Sequence, residues 1–177
     1  MDGKVIVAET DRLILRRYKE DDLQDLFEYL SNPKVVEFEP YKPMTMKEAK
    51  DNLKWRISND EMIAVELKSM DKMIGNVYLG KSDFDSLEIG FVFNERYWKK
   101  GYAKESCEKL IEMEFQKGIH RIYANCDPDN QNSWGLLERL GFTQEGYLKK
   151  NVYFWRNNNN HPIWKDTFIY SKLNGKE

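Results

Sequence analysis

Between Leu87 and Cys126 the chain reads strand, helix, strand with only short connectors, and this run limits the possible folds more than any other. Leu87, Ile89, Phe91 and Phe93 keep the two-residue period of a strand. Ala103, Cys107, Leu110 and Ile111 share one face of a helix from about Tyr102 to Lys117, ended by Gly118, and Ile119 to Cys126 returns to strand. A helical crossover of this kind joins two parallel neighbours of one sheet and is right-handed.

The flanking segments predict antiparallel pairing. Met62 to Leu67, Met73 to Leu79 and Leu87 to Phe93 are apolar segments separated by turn-rich Ser69-Met70-Asp71-Lys72 and Lys81 to Ser86, the pattern of a β-meander. Upstream, Leu13 and Leu15 mark a strand over Arg12 to Tyr18, and Leu23, Leu26, Phe27 and Leu30 recur at helical spacing. Thr45-Met46-Lys47-Glu48 has the form of a capping box, followed by a stripe of Met46, Ala49, Leu53 and Ile57. Downstream, a helix over Asn132 to Leu140 stops at Gly141, and strands near Asn151 to Trp155 and Ile163 to Leu173 flank an asparagine-rich loop. The order is β, α, α, β, β, β, α, β, α, β, β. With no repeat, low-complexity linker or composition break, it predicts one mixed α/β domain over residues 1–177.

Composition narrows the function. At 177 residues, roughly 70% of the unfolded surface can be buried without staples. Twenty-eight basic and 30 acidic residues give a net charge of −2, so there is no field to hold nucleic acid. The early apolar run Val5 to Ala8 is too short for a signal peptide or a membrane span, and Cys107 and Cys126 lack CxxC spacing. Both observations point to a cytoplasmic chain with free thiols. His120 and His161 sit in no cluster with metal-ligand spacing, so neither a metal site nor a histidine triad is expected.

The chemistry concentrates in LEIGFVFNERYWKKGYAK, Leu87 to Lys104, where a strand runs through a short polar loop into a helix at Gly101. The unpaired N–H groups of a helix start, with the positive end of its dipole, suit a pyrophosphate. Gly101 lets the backbone approach closely, and Lys99, Lys100 and Lys104 add charge. The dinucleotide GxGxxG and the GxxxxGK[ST] phosphate loop are both missing. What the segment resembles is motif A of the GNAT acetyltransferases, [QR]xxGx[GA], in the YWGKGYA form of the ribosomal-protein acetyltransferase (RimJ/RimL-like) branch. It reads Tyr97-Trp98-Lys99-Lys100-Gly101-Tyr102-Ala103, with Trp98 at the Gln/Arg position and Lys99 in place of a glycine. A second stretch, from Asp127 through Asn130, Ser133 and Leu137 to Phe142, resembles the family's NxxSxxLLExLGF segment.

This resemblance implies an α/β fold with a strongly twisted, mixed, mainly antiparallel sheet of about seven strands, four helices and a splayed cofactor cleft. It further implies a β-bulge on the strand Leu87 to Phe93, with which Gly90 is consistent. Acetyl-CoA is the implied donor and a primary amine, on a protein N-terminus or a small molecule, the implied acceptor. The pantetheine arm would pair with the backbone of Phe91, Val92 and Phe93, and the pyrophosphate would meet Trp98, Lys99, Lys100, Gly101, Tyr102, Ala103 and Lys104. Asn130 would contact the pantetheine and Ser133 the departing sulfur. Glu88 alternates with Ile89, Phe91 and Phe93 and so faces the opposite side of the strand; by resemblance it is the general base. Backbone N–H groups near Phe91 and Val92 would stabilise the developing oxyanion, and Tyr147 and Tyr123 are further donors, after Ser133, to the leaving thiolate. Tyr153, Phe154, Trp155 and Trp164 either wall the acceptor pocket or belong to the core, and Cys126 reads as a small buried residue. A non-catalytic acyl-CoA sensor is the alternative to an enzyme. The acceptor's identity and the oligomeric state, a homodimer among the options, stay open.

Overall fold

Eight strands form one sheet in the computed structural model, which describes residues 3–175. In chain order the elements are β1 (Ile6–Glu9), β2 (Leu13–Arg16), α1 (Leu23–Leu30), α2 (Met46–Ile57), β3 (Met62–Leu67), β4 (Lys72–Ser82), β5 (Ser86–Phe93), α3 (Tyr102–Gln116), β6 (Arg121–Cys126), α4 (Gln131–Arg139), β7 (Thr143–Arg156) and β8 (Pro162–Leu173). The sheet order is β1-β2-β3-β4-β5-β6-β8-β7, with β5 and β6 the parallel pair that the strand, helix, strand run predicts. All other neighbours are antiparallel.

Sequence reading misses β1, which makes eight strands instead of seven. Its four residues are too few to show a period, and Ile6 is half exposed, so burial leaves no alternation to read. Ile6 pairs with Arg16 and Glu9 with Ile14.

The sheet carries a layer on each face. Leu13, Leu15, Val77, Leu87, Ile89 and Phe93 pack with α3 and α4 through Cys107, Leu110, Ile111, Leu136 and Leu137. On the other face Ala64, Met73 and Met62 pack under Leu26, Tyr29, Leu30 and Leu53 of α1 and α2. The capping box of α2 forms as its sequence predicts: the Glu48 N–H donates to Thr45 Oγ1, and the Thr45 N–H donates to Glu48 Oε2 at 2.8 Å. The buried face of α2 nevertheless differs from the predicted stripe. Ala49, Leu53 and Arg56 are buried, while Met46 and Ile57 are exposed.

The bulge predicted at Gly90 is absent, because β4 and β5 pair without a register shift from Gly75 opposite Phe93 to Ser82 opposite Ser86. The irregularity lies one strand away, where Val65 faces Gly75 and Glu66 faces Met73, leaving Ile74 as the extra residue of β4. Gly75 beside it is required by space: a Cβ there would lie 2.6 Å from both the Phe93 ring and the Val92 carbonyl oxygen.

Candidate active site

The β5–β6 ladder stops early. Only Ser86, Leu87 and Glu88 pair with β6, opposite Arg121, Ile122 and Tyr123. Beyond that rung β5 stays with β4 as far as Phe93, while β6 stays with β8 as far as Cys126 opposite Phe168. The two strands therefore fork at Glu88, and the rest of β5 presents an unpaired edge. Backbone groups alternate sides along a strand. The Asp85 carbonyl accepts from His120 and Arg121 on the β6 side, whereas the Asn94 N–H donates to Ile74 on the β4 side. Odd-numbered residues thus turn their peptide groups towards β6, and at Phe91 and Phe93 that side is the fork. Val92 turns its carbonyl against Gly75 of β4, so the unbulged strand leaves Phe91 and not Val92 to offer a backbone donor.

A cleft of about 680 Å³ fills the fork. It brings together Glu88, Phe91 and Val92 of β5 with Asn130 and Ser133 at the start of α4, residues at least 38 positions apart in the sequence. Glu88 is half-buried and accepts a hydrogen bond from Asn125 Nδ2 at 2.9 Å across the fork. Asn130 caps α4, its Oδ1 accepting from the Ser133 N–H at 3.2 Å. The Ser133 hydroxyl makes no hydrogen bond among the described residues and lines the cleft.

The loop between β5 and α3 lies at the end of the open edge. Trp98 holds it to the strand: its indole N–H donates to the Phe93 carbonyl at 2.7 Å, and the ring packs on the main core. Lys99 and Gly101 both have positive φ, 58° and 84°, a conformation that costs glycine least. The first backbone bond inside α3 runs from the Glu105 N–H to the Gly101 carbonyl, which leaves the N–H groups of Tyr102, Ala103 and Lys104 unpaired among the described residues. Arg12 braces this turn from β2's side, donating to the Lys100 carbonyl at 3.1 Å and pairing with Glu105 at 2.6 Å. Burial pushes the Glu105 carboxyl up, but hydrogen bonds from Thr10 and Arg12 outweigh it and hold the group below its ordinary value. Lys99 and Lys100 are exposed, and Lys104 pairs with Glu108 at 2.9 Å.

Several residues raised by the sequence lie elsewhere. Tyr147 and Tyr123 are not cleft-lining residues: Tyr147 is half exposed and donates at 2.6 Å to Asp166, which does line the cleft, and Tyr123 points its hydroxyl towards Ser82. Of the late aromatics only Phe154 lines the cleft; Tyr153 and Trp164 pack edge-to-face on each other with half-exposed rings. Burial, then the neighbouring Asp127, pushes the Cys126 thiol up to about 11, so it is protonated at neutral pH.

The far end of the cleft is made of residues that sequence reasoning missed. Phe38, Glu39 and Tyr41 come from the loop after α1, Asn52 and Arg56 from α2, and Asn76 and Tyr78 from β4. Two cation–π contacts fasten that loop to β7 and β8: Lys42 Nζ lies 5.3 Å from the Trp155 ring centre and Lys165 Nζ 5.6 Å from that of Phe38. The Tyr78 phenol stands above its ordinary pKa through burial and the Glu61 and Glu88 carboxylates, and so keeps its proton. The one available signal for these positions is polar Asn76 inside an otherwise apolar strand segment.

Among the described residues no helix is long and apolar enough to cross a membrane. The acetyltransferase (GNAT) domain model matches residues 12–143. The chain is 35% identical over 147 residues to an uncharacterized N-acetyltransferase, YnaD, of Bacillus subtilis strain 168, a match that covers 80% of this chain and 85% of YnaD. Among solved structures, a GNAT-family acetyltransferase of Bacillus anthracis superposes with a TM-score of 0.86 at 26% identity, covering 98% of this chain and all of that one (100%). The ribosomal-protein-S5-alanine acetyltransferase of Vibrio fischeri superposes with a TM-score of 0.76 at 24% identity, covering 99% and 98% of the two chains.

Proposed function

The chain belongs to the GNAT acetyltransferase family and is an acetyl-CoA-dependent N-acetyltransferase, and on that premise we propose that the fork between β5 and β6 is its active site. The single observation that carries this reading is the unpaired edge of β5 beyond Glu88, with one cleft reaching from it to Ser133. An open edge offers a pantetheine amide the hydrogen bonds that a further strand would take. The unpaired N–H groups of Tyr102, Ala103 and Lys104 and the charges of Lys99 and Lys100 receive the pyrophosphate. Trp98 acts through the loop that it ties to Phe93, and Asn130 sets the α4 start beside the pantetheine.

Acetyl-CoA supplies a thioester, so the residues need only deliver a neutral amine and manage charge. A free alkylamine has a pKa of roughly 10 and is mostly protonated near neutral pH. Glu88 takes the proton, directly or through water, as the amine nitrogen bonds to the acetyl carbon. The Phe91 N–H stabilises the negative charge that grows on the acetyl oxygen. Ser133 donates to the sulfur as the carbon–sulfur bond breaks, easing departure of the thiolate. The acceptor enters from the end lined by Tyr41, Arg56 and Phe154. The whole chain works as one domain, and its two buried free thiols suit a reducing cytoplasm.

Coenzyme A titrated into the protein in a calorimeter tests the binding half of this reading. Gly101→Val places a β-branched side chain at φ 84° and is expected to weaken binding about tenfold or more while the domain stays folded. Unchanged affinity in the folded variant would move the pyrophosphate site elsewhere.

A further inference from the structure

Two arginines are deeply buried among the described residues, and only one is paired with carboxylates. Arg16, 1% exposed, pairs with Asp22 at 2.7 Å and with Glu66 at 2.6 Å. Arg56, 4% exposed, donates from Nε to Asn52 at 2.6 Å and from Nη1 to the Tyr18 hydroxyl at 2.9 Å, both neutral groups. Among the described residues no carboxylate forms a salt bridge with it, and Nη2 has no hydrogen-bond partner. Since no fully buried side-chain nitrogen or oxygen there lacks a partner, Nη2 keeps some solvent contact, and Arg56 is a lining residue of the cleft. Asn76, 2% exposed, repeats the pattern: one end of its amide takes the Tyr29 hydroxyl at 2.9 Å and the other end is left to the cleft.

The carboxylates around the cleft do not supply the missing charge. Glu88 is engaged by Asn125, Asp127 by Lys165 and Asp166 by Tyr147. Glu39 remains, and burial pushes its carboxyl up to about 7 against the pull of Arg56, so near neutral pH it is only partly ionised. A guanidinium stays charged throughout. Held in a low-dielectric wall with only the partly ionised Glu39 as counter-charge, it favours an incoming anion.

We propose that Arg56 binds an anionic group of the acceptor, and that the acceptor is a small amine carrying a carboxylate, its amine at Glu88 and its carboxylate at Arg56. This deepens the reading of the fork as a transferase site and rests on it. The planar guanidinium suits a carboxylate, the nearby Glu39 disfavours a phosphate dianion, and the fixed positive charge opposes polyamines.

The test uses glycine and ω-amino acids of increasing length up to 6-aminohexanoate, each paired with its carboxamide, with spermidine as the carboxylate-free control. Each is titrated into coenzyme A-saturated protein by calorimetry and assayed with acetyl-CoA by thiol release. At least one amino acid is expected to bind about tenfold to a hundredfold more tightly than its carboxamide, with a matching gain in kcat/KM. Arg56→Met should erase that preference, and Arg56→Lys should keep part of it. Equal binding within every pair, binding of none of the carboxylates, preference for spermidine, or a preference that survives in folded Arg56→Met would each overturn the proposal. The paired comparison in the unaltered protein stands even if a variant fails to fold. Carboxylate-selective binding without thiol release from any member would uphold Arg56 and remove the assignment of transfer chemistry to this cleft.

Discussion

At the scale of single residues, the cleft sets ionisable groups in places that cost stability. Burial raises the Glu39 carboxyl from its ordinary 4.5 to about 7, with Arg56 and a hydrogen bond to Tyr41 only partly opposing it. Below pH 4.5 the group is protonated in both folded and unfolded chains and costs nothing. As pH rises from there to about 7 the unfolded chain releases its proton first, so the folded state loses stability across that window and carries the full cost above it. Glu39→Gln is therefore expected to match the parent protein in stability at about pH 4 and to exceed it by about 1–3 kcal/mol above neutrality. Denaturant melts at the two pH values check this; an equal or lower stability of the variant above neutrality would contradict it.

At the scale of elements, β5 shows what a sequence carries and where it stops. Strand parity places Glu88 opposite Ile89, Phe91 and Phe93, and the structure puts Glu88 half-buried at the cleft with Ile89 and Phe93 in the core and Phe91 packed against it, although Ile89 and Phe91 reach the cleft as well. The helix start at Gly101 is also legible, because a glycine after a polar loop and before an apolar stripe is a local signal. The missing bulge at Gly90 and the real one at Ile74 are not legible, since register depends on the partner strand. Arg56 escapes for the same reason. It takes a buried place that the stripe gave to Ile57 because Tyr18, 38 positions away, meets it there. Gly75 is the element-scale test: Gly75→Ala would drive a methyl against the Phe93 ring and the Val92 carbonyl, each 2.6 Å from the new atom. The expected cost is about 1–3 kcal/mol, seen as a lower melting temperature and accompanied by weaker coenzyme A binding as β5 shifts its open edge. A variant with unchanged melting and affinity would show that β5 is not positioned by this contact.

At the scale of the whole molecule, the sheet is one ladder only as far as Glu88. Past that rung β1 to β5 with α1 and α2 part from β6, β8 and β7, and the halves remain joined by the core under α3 and α4. The proposed donor side of the resulting cleft was readable because its residues lie in two contiguous motifs, and Phe154 was among the late aromatics raised for the acceptor wall; Glu39, Arg56 and Asn76 were not readable, because they meet only after the chain has folded. Glu88 stands at the point of parting, with the open edge of β5 ahead of it and the proposed acceptor end beside it, and is the proposed base for the transfer. The most direct measurement is a pH series of single-turnover acetyl transfer by the parent protein and Glu88→Gln, with coenzyme A affinity and melting temperature followed in parallel. The variant is predicted to bind normally, to lose about 10²- to 10⁴-fold in rate near neutral pH, and to recover part of that loss as rising pH leaves more of the amine already neutral. Parent-like rates in Glu88→Gln at neutral pH, or a loss matched by collapse of binding and stability, would contradict it.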